Sequence, residues 1–220
     1  MKWIKTKIDE ESVIYSNGIV AFIMKSVPNA DFLIGETPVT QILWQAIEKK
    51  NPSHFADKPF RPVDSVSFDE AKLFIAHLNE ATGERFRLPT AQEWEFAAKC
   101  GQKNYPYKYP GTSSFEEVDG TDLRGTYVVK KFKPNEIGLY CMVGNVLEWT
   151  DSTIRVPADD VERIKLSRGA KPEDVKMVTD RILKGGSWIN GKCTSAIADI
   201  VHYNGGEHYF HVGFRLVIDK

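Results

Sequence analysis

Three histidines near the C-terminal end, His202, His208 and His211, form the densest group of metal-capable side chains in the chain. Neutral imidazole is a common zinc ligand, and Asp199 or Glu207 are the carboxylates spaced to complete a tetrahedron. The competing reading is a contact surface. From Ile189 to Val212 neither a helical nor a strand period survives, yet His, Tyr, Phe, Asn, Asp and Gly are gathered there. That mixture is what binding loops use, aromatics for area and small polar groups for adaptable hydrogen bonds. Thiol chemistry has less to work with, because Cys100, Cys141 and Cys193 are odd in number and far apart. Trp94, Trp149 and Trp188 offer stacking faces. Each would bury so much apolar area that core packing is the expected role.

Elements on both sides must hold that irregular stretch. Gly185-Gly-Ser-Trp188 opens it, and the alternating strand pattern of Gly213-Phe-Arg-Leu-Val217 closes it. Arg215 is expected to pair with a buried acid, Glu93 or Glu148. Upstream, Ile14-Tyr15, Gly18–Met24 after an Asn-Gly turn, and Ala30–Ile34 read as short antiparallel strands. Ile42, Leu43, Ala46 and Ile47 sit at helical spacing between a Thr37 or Thr40 cap and Asn51-Pro52. Ser67-Phe-Asp-Glu70 and Thr90-Ala-Gln-Glu93 are capping boxes, and each starts a helix with an apolar face. The second of these helices should end near Gly101. Residues 102–132 predict an ordered loop with short strands around Tyr127–Val129. Gly144-Asn145 is a tight turn. The charged stretch 151–181 predicts a surface excursion with one helical turn near Pro172–Val178, either an interaction arm or solvated filler.

A chain of 220 residues with a net charge of −1 and interspersed acids and bases has no basic stripe. A polyanionic partner is therefore excluded, so no nucleic acid is expected. No apolar run approaches the roughly 20 residues that cross a bilayer, so no membrane insertion is expected. Met1-Lys-Trp-Ile-Lys lacks the apolar core of a signal peptide, which predicts a cytoplasmic protein or a component of a phage virion.

Several motifs together carry a resemblance. Asn51-Pro-Ser-His-Phe55, Pro62–Phe68, Phe86-Arg-Leu-Pro-Thr-Ala-Gln-Glu-Trp-Glu-Phe-Ala-Ala98, Gly138–Trp149, Gly185-Gly-Ser-Trp188 and Gly213-Phe-Arg-Leu-Val217 resemble, in order, the formylglycine-generating enzyme (sulfatase-modifying factor) domain family. The resemblance implies an α+β, C-type-lectin-like single domain over residues 1–220. It would have small antiparallel sheets, a few helices, long loops and neighbouring termini.

The family's oxidase chemistry, as the resemblance implies it, uses two cysteines shortly after the Gly-Gly-Ser-Trp motif to hold copper(I). Soft thiolates select that ion. Asn190 and Ser195 stand at the matching positions, and Cys193 alone cannot make a paired site, so no catalytic residue is assigned. Gly144, Val146 and Glu148 match positions that bind calcium in the family, through two carbonyls and a carboxylate. Calcium wants about 6–8 oxygens, and Cys141 stands where a further Asp or Asn is usual, so a weak calcium site and a turn without metal are both open. No other cofactor is expected.

A second branch of the fold is more similar: the variable proteins of diversity-generating retroelements, in which adenine-directed mutagenesis rewrites a segment between these two anchors. Rewriting Asn codons cannot produce Lys, Glu, Gln, Met or Trp. Between Ile189 and Val212 only Lys192 and Glu207 fall outside the permitted set. The chain is therefore expected to be a non-enzymatic ligand-binding protein with a variable segment at 189–212. Its contact residues would be Ile189, Asn190, Gly191, Thr194, Asp199, Val201, His202, Tyr203, Asn204, His208, Tyr209, Phe210 and His211, and its partner a protein or cell-surface ligand. The alternative is a degenerate or accessory family member, a pseudoenzyme or a divergent oxidase.

Overall fold

In a computed structural model, which describes residues 2–117 and 124–220, the N-terminal third is a meander. Strands β1 (Ile4–Lys7), β2 (Ser12–Ser16), β3 (Ala21–Ser26) and β4 (Phe32–Gly35) pair antiparallel in sequence order. The last strand of the chain, β9 (Val217–Asp219), adds beside β4 to complete five strands in the order β1-β2-β3-β4-β9. The first and last strands thus share a sheet but lie at its opposite edges, which corrects the expectation of neighbouring termini. The sequence pattern did not reveal β1, since all four of its residues are exposed and no apolar alternation marks them.

Three helices follow where their caps predict them. Helix α1 (Gln41–Glu48) starts on Thr40. Helix α2 (Phe68–Thr82) and helix α3 (Ala91–Ala98) each begin with a complete reciprocal capping box, on Ser67/Glu70 and Thr90/Glu93. Beyond α3, Cys100 and Gly101 are both left-handed, with φ of 54° and 73°. A Cβ on Gly101 would stand 2.2 Å from the Pro28 carbonyl oxygen, so only glycine fits there. No strand forms at Tyr127–Val129, although the Val129 amide donates to the Phe60 carbonyl at 2.9 Å.

The charged stretch is more ordered than its composition suggested. Strand β5 (Leu147–Pro157) and strand β6 (Met177–Lys184) form a long antiparallel hairpin, tipped by helix α4 (Asp160–Ser167) and a 3-10 turn at Pro172–Asp174. Strand β7 (Val201–Tyr203) pairs with β6, and the short β8 (Val212–Gly213) pairs parallel with β5. The second sheet therefore runs β7-β6-β5-β8. Between the sheets and helices lies a core in which Trp44 stacks on Phe74 and both meet Phe214 edge-on. Among the described residues, no helix is long and apolar enough to cross a membrane.

Candidate functional site

Both ends of the irregular stretch are pinned by backbone geometry. Gly185 and Gly186 are left-handed, with φ of 93° and 67°, and a Cβ on Gly186 would fall 2.4 Å from Ser195 Oγ. The Gly144 amide donates to the Gly185 carbonyl at 2.8 Å, and the Trp188 amide to Asn145 O at 3.0 Å. Asn145, fully buried, exchanges two 3.1 Å hydrogen bonds with the Tyr127 backbone. At the far end, Phe214 and the first residue of β9, Val217, are buried, and the Val217 amide donates to Arg87 O at 2.8 Å.

Arg215 locks the frame. Its buried guanidinium donates through Nε and Nη2 to the two oxygens of Glu148 at 2.6 and 2.7 Å, through Nη1 to Gly35 O at 3.1 Å, and through Nη2 to Tyr140 O at 2.9 Å. Trp94 Nε1 adds a 2.7 Å bond to Glu148 Oε2. Of the two expected partners, Glu148 is the one used; Glu93 instead holds Arg87 at 2.6 Å.

These contacts bear on calcium. Both oxygens of Glu148 already accept charged or indole hydrogen bonds, and a guanidinium supplies the local positive charge. Burial pushes the Cys141 thiol up to about 12, so it is neutral and no hard ligand. The residues at Gly144, Val146 and Glu148 do not fit a calcium ion in this arrangement.

Nor do the residues fit copper. Asn190 lies against the Ser187 hydroxyl, and Ser195 Oγ donates to Gly191 O. Cys193 falls in the 3-10 turn Gly191–Thr194, and its side chain lies outside what is described. Burial pushes Cys100 up to about 12 as well, with the Glu136 carboxylate reinforcing it.

Just before the stretch, at the end of β6, a buried lysine ties display to frame. Lys184 Nζ, with its side chain fully enclosed, donates to Glu95 at 2.8 Å and to the Asp199 carbonyl at 2.5 Å. Burial lowers its pKa while Glu95 opposes that shift. Asp199 then turns inward, its carboxylate accepting from the Ala196 amide at 2.8 Å. Tyr203 and Tyr209 are half-buried and stack at 4.3 Å, packed on the core beside Trp149, and Val201 packs there too. His211 lies inside. Its Nε2 meets the Tyr203 hydroxyl at 3.2 Å, its Nδ1 is buried without a partner, and burial lowers its pKa.

The remaining residues face solvent. Ile189 is 40% exposed and Phe210 46%, and His202, Asn204 and His208 are exposed beside them, while Gly191 and Thr194 are intermediate. His202 Nδ1 sits 2.8 Å from Asp180, and His208 Nε2 sits 2.9 Å from Glu70. Burial pushes Glu70 up, but the Ser67 amide and the His208 ring outweigh it and hold the carboxyl below its usual range. The three histidines that resembled a metal cluster thus have three separate partners. Among the described residues, no group of three or more His, Cys, Asp or Glu is arranged to hold a metal ion.

Framework residues join the surface that sequence reasoning did not assign to it. His54 and Phe55, from the loop after α1, meet Phe210 and Trp188 in a closed ring of aromatic contacts. The centroid spacings are 4.8 Å (His54–Phe55), 5.3 Å (Phe55–Trp188), 5.9 Å (Trp188–Phe210) and 5.7 Å (His54–Phe210). Trp94 and Trp149 are wholly buried, whereas Trp188 is half-buried, its indole N–H unpartnered. The signal for His54 and Phe55 was the Asn51–Phe55 motif, which marked family but not place.

Comparisons with known proteins bear on the family and the fold. A family model described as the sulfatase-modifying factor enzyme 1-like domain matches residues 9–220. The solved structure of Treponema denticola variable protein 1 superposes with a TM-score of 0.73 at 27% identity, covering 98% of this chain and 100% of that one. The formylglycine-generating enzyme of Thermomonospora curvata is 29% identical over 82% of this chain and 63% of its own length. The inactive Cα-formylglycine-generating enzyme 2 of Bos taurus is 30% identical over 76% of this chain. The chain spans about half the length of that bovine relative, 51%.

Proposed function

We propose, from the premise that the chain belongs to the sulfatase-modifying factor enzyme 1-like domain family, that it is a ligand-binding protein of the retroelement variable-protein type, without enzymatic activity. The observation that carries this reading is the end-to-end match to a variable protein. The stretch between Trp188 and Gly213 suits the role, because its outward residues, Ile189, His202, Asn204, His208 and Phe210, carry little of the packing. Such residues change with small cost to stability, usually within about 0.5 kcal/mol. Exposed aromatics supply anchoring area, and the pinned backbone limits the ordering cost on binding. The ligand is a protein or cell-surface group that this aromatic and imidazole patch contacts, with His54 and Phe55 as constant contributors.

The decisive observation is genetic. A near-copy of the segment encoding residues 189–212, differing only at adenines and lying beside a reverse transcriptase gene, is expected; its absence sinks the reading. Oxidase activity makes the opposite prediction. Loading with copper(I) and supplying a cysteine-containing peptide should give no oxygen uptake, since Asn190 and Ser195 offer no thiolate pair.

A further inference from the structure

Away from the display stretch, a cavity of about 510 Å3 opens on the five-stranded sheet. Ile14 and Ile23, cross-strand partners on β2 and β3, form its floor. Strand alternation puts them on the face opposite Tyr15 and Met24, which are in the core. Val39, Ile42 and Leu216 line the walls, and Phe60 stands at the lip, 57% exposed. That volume lies within the roughly 300–1,000 Å3 typical of small-ligand sites, and its apolar lining with few polar groups is their usual chemistry.

One charged pair enters the lining. Glu36, its side chain only 12% exposed, lies 2.6 Å from Lys130 Nζ, whose side chain is 50% exposed. The Glu36 backbone is held on both sides, its amide donating to Ile23 O and its carbonyl accepting from the Tyr140 amide, each at 2.9 Å. Lys130 arrives from a loop on a flexible stem, its ammonium 5.3 Å over the Tyr140 ring. The carboxylate is therefore the fixed member of the pair and the ammonium the exchangeable one.

We propose that this cavity binds an amphiphilic primary amine, whose hydrocarbon body fills the apolar lining and whose ammonium takes the place of Lys130 on Glu36. The sign of the charge follows from which partner tolerates release. Displaced by an amine, Lys130 swings into water, where a compact ammonium is well hydrated. An anionic ligand that drew Lys130 away would leave the nearly enclosed Glu36 without a counter-charge, which is the costly outcome. No lining residue lies within 189–212, so the site stays constant while the display stretch varies. The proposal does not rest on the display reading.

Calorimetry with the full chain tests it, using n-octylammonium, n-octanoate and methylammonium as probes. Octylammonium is expected to bind saturably at one site, at least about tenfold more tightly than either other probe, a difference of roughly 1.4 kcal/mol. Glu36→Gln should weaken octylammonium at least tenfold, and Ala21→Trp, at an exposed lining position, should do the same by filling the mouth. A melting curve checks that each variant is folded, and the second stands in for the first should Glu36→Gln not fold. Octanoate binding as tightly as octylammonium, octylammonium binding unchanged in the variants, or no saturable binding of octylammonium would each overturn the proposal.

Discussion

Two parts of this molecule use the same chemistry to opposite ends. At the frame, Arg215 and Glu148 form an ion pair with both side chains wholly enclosed. At the display surface, His208–Glu70 and His202–Asp180 are pairs of similar length in which the imidazoles are exposed. Distance alone does not separate them; solvent does. An enclosed pair cannot lose one member without stranding a charge in a low-dielectric interior, whereas water re-solvates an exposed one. Each region accordingly has its own tolerance for change, rigid where the chain must fold and permissive where it meets a partner.

The largest effect should come from breaking the frame. Arg215→Met strands Glu148 beside Trp94 and is expected to cost about 3–5 kcal/mol, a large share of a domain's stability, read as a shift of the urea midpoint. Glu148→Leu together with Arg215→Met should cost less than the sum of the two single changes, because neither charge then remains alone. Calcium sharpens the same point. With Arg215 satisfying Glu148, melting in millimolar calcium or in a chelator should coincide; a calcium-dependent rise would show that the ion competes successfully for that carboxylate.

Next in size is the hinge between frame and display. Gly186→Ala must hold a left-handed residue and push against Ser195, and it is expected to cost about 1–3 kcal/mol. Differential scanning calorimetry measures this. If the variant melts like the parent, the Gly-Gly-Ser-Trp anchor is looser than its contacts indicate.

Legibility in the sequence divides along similar lines. Both capping boxes announced their helices because a cap is a local bargain between residues three apart. The Glu148 pairing was half legible: an arginine in an apolar strand needs an acid, but two acids were available and only packing chose between them. Strand β1 and the β5–β6 hairpin escaped notice. Their outward residues are polar or isolated apolar side chains, so neither period stands out against charged composition. The display surface was legible as a stretch but not as a patch. Its partners Glu70, Asp180, and the adjacent His54 and Phe55 come from three other parts of the chain, and nothing local records that Tyr203, Tyr209 and His211 turn inward.

His211 tests the boundary between the two regions through pH. Burial lowers its folded-state pKa below the ordinary 6.5, so the unfolded chain binds a proton more readily. Stability from this group is therefore intact above about pH 6.5 and is lost as pH falls from there through the folded-state value. Denaturation measured from pH 7.5 to 5 should show stability falling in the parent and falling less in His211→Phe. Equal slopes would place His211 with the solvated display residues instead.

The smallest stability effect, and the sharpest contrast, is expected at His208 and His202. Replacing either with Ala removes one exposed pair with Glu70 or Asp180, which is worth about 0–1 kcal/mol. The midpoint of unfolding should barely move, and it should depend on salt only weakly. Phe210→Ala should behave similarly in stability, since the ring is nearly half exposed. In binding to whatever partner a library screen of this surface returns, the order should reverse. Phe210→Ala should then cost most, because an exposed aromatic backed by His54 and Trp188 has the makings of a hot spot. His208→Ala, at the exposed rim, should cost less binding than Phe210→Ala. A display variant that unfolds the chain, or a frame variant that leaves it stable but blind to its partner, would break the separation between the two regions.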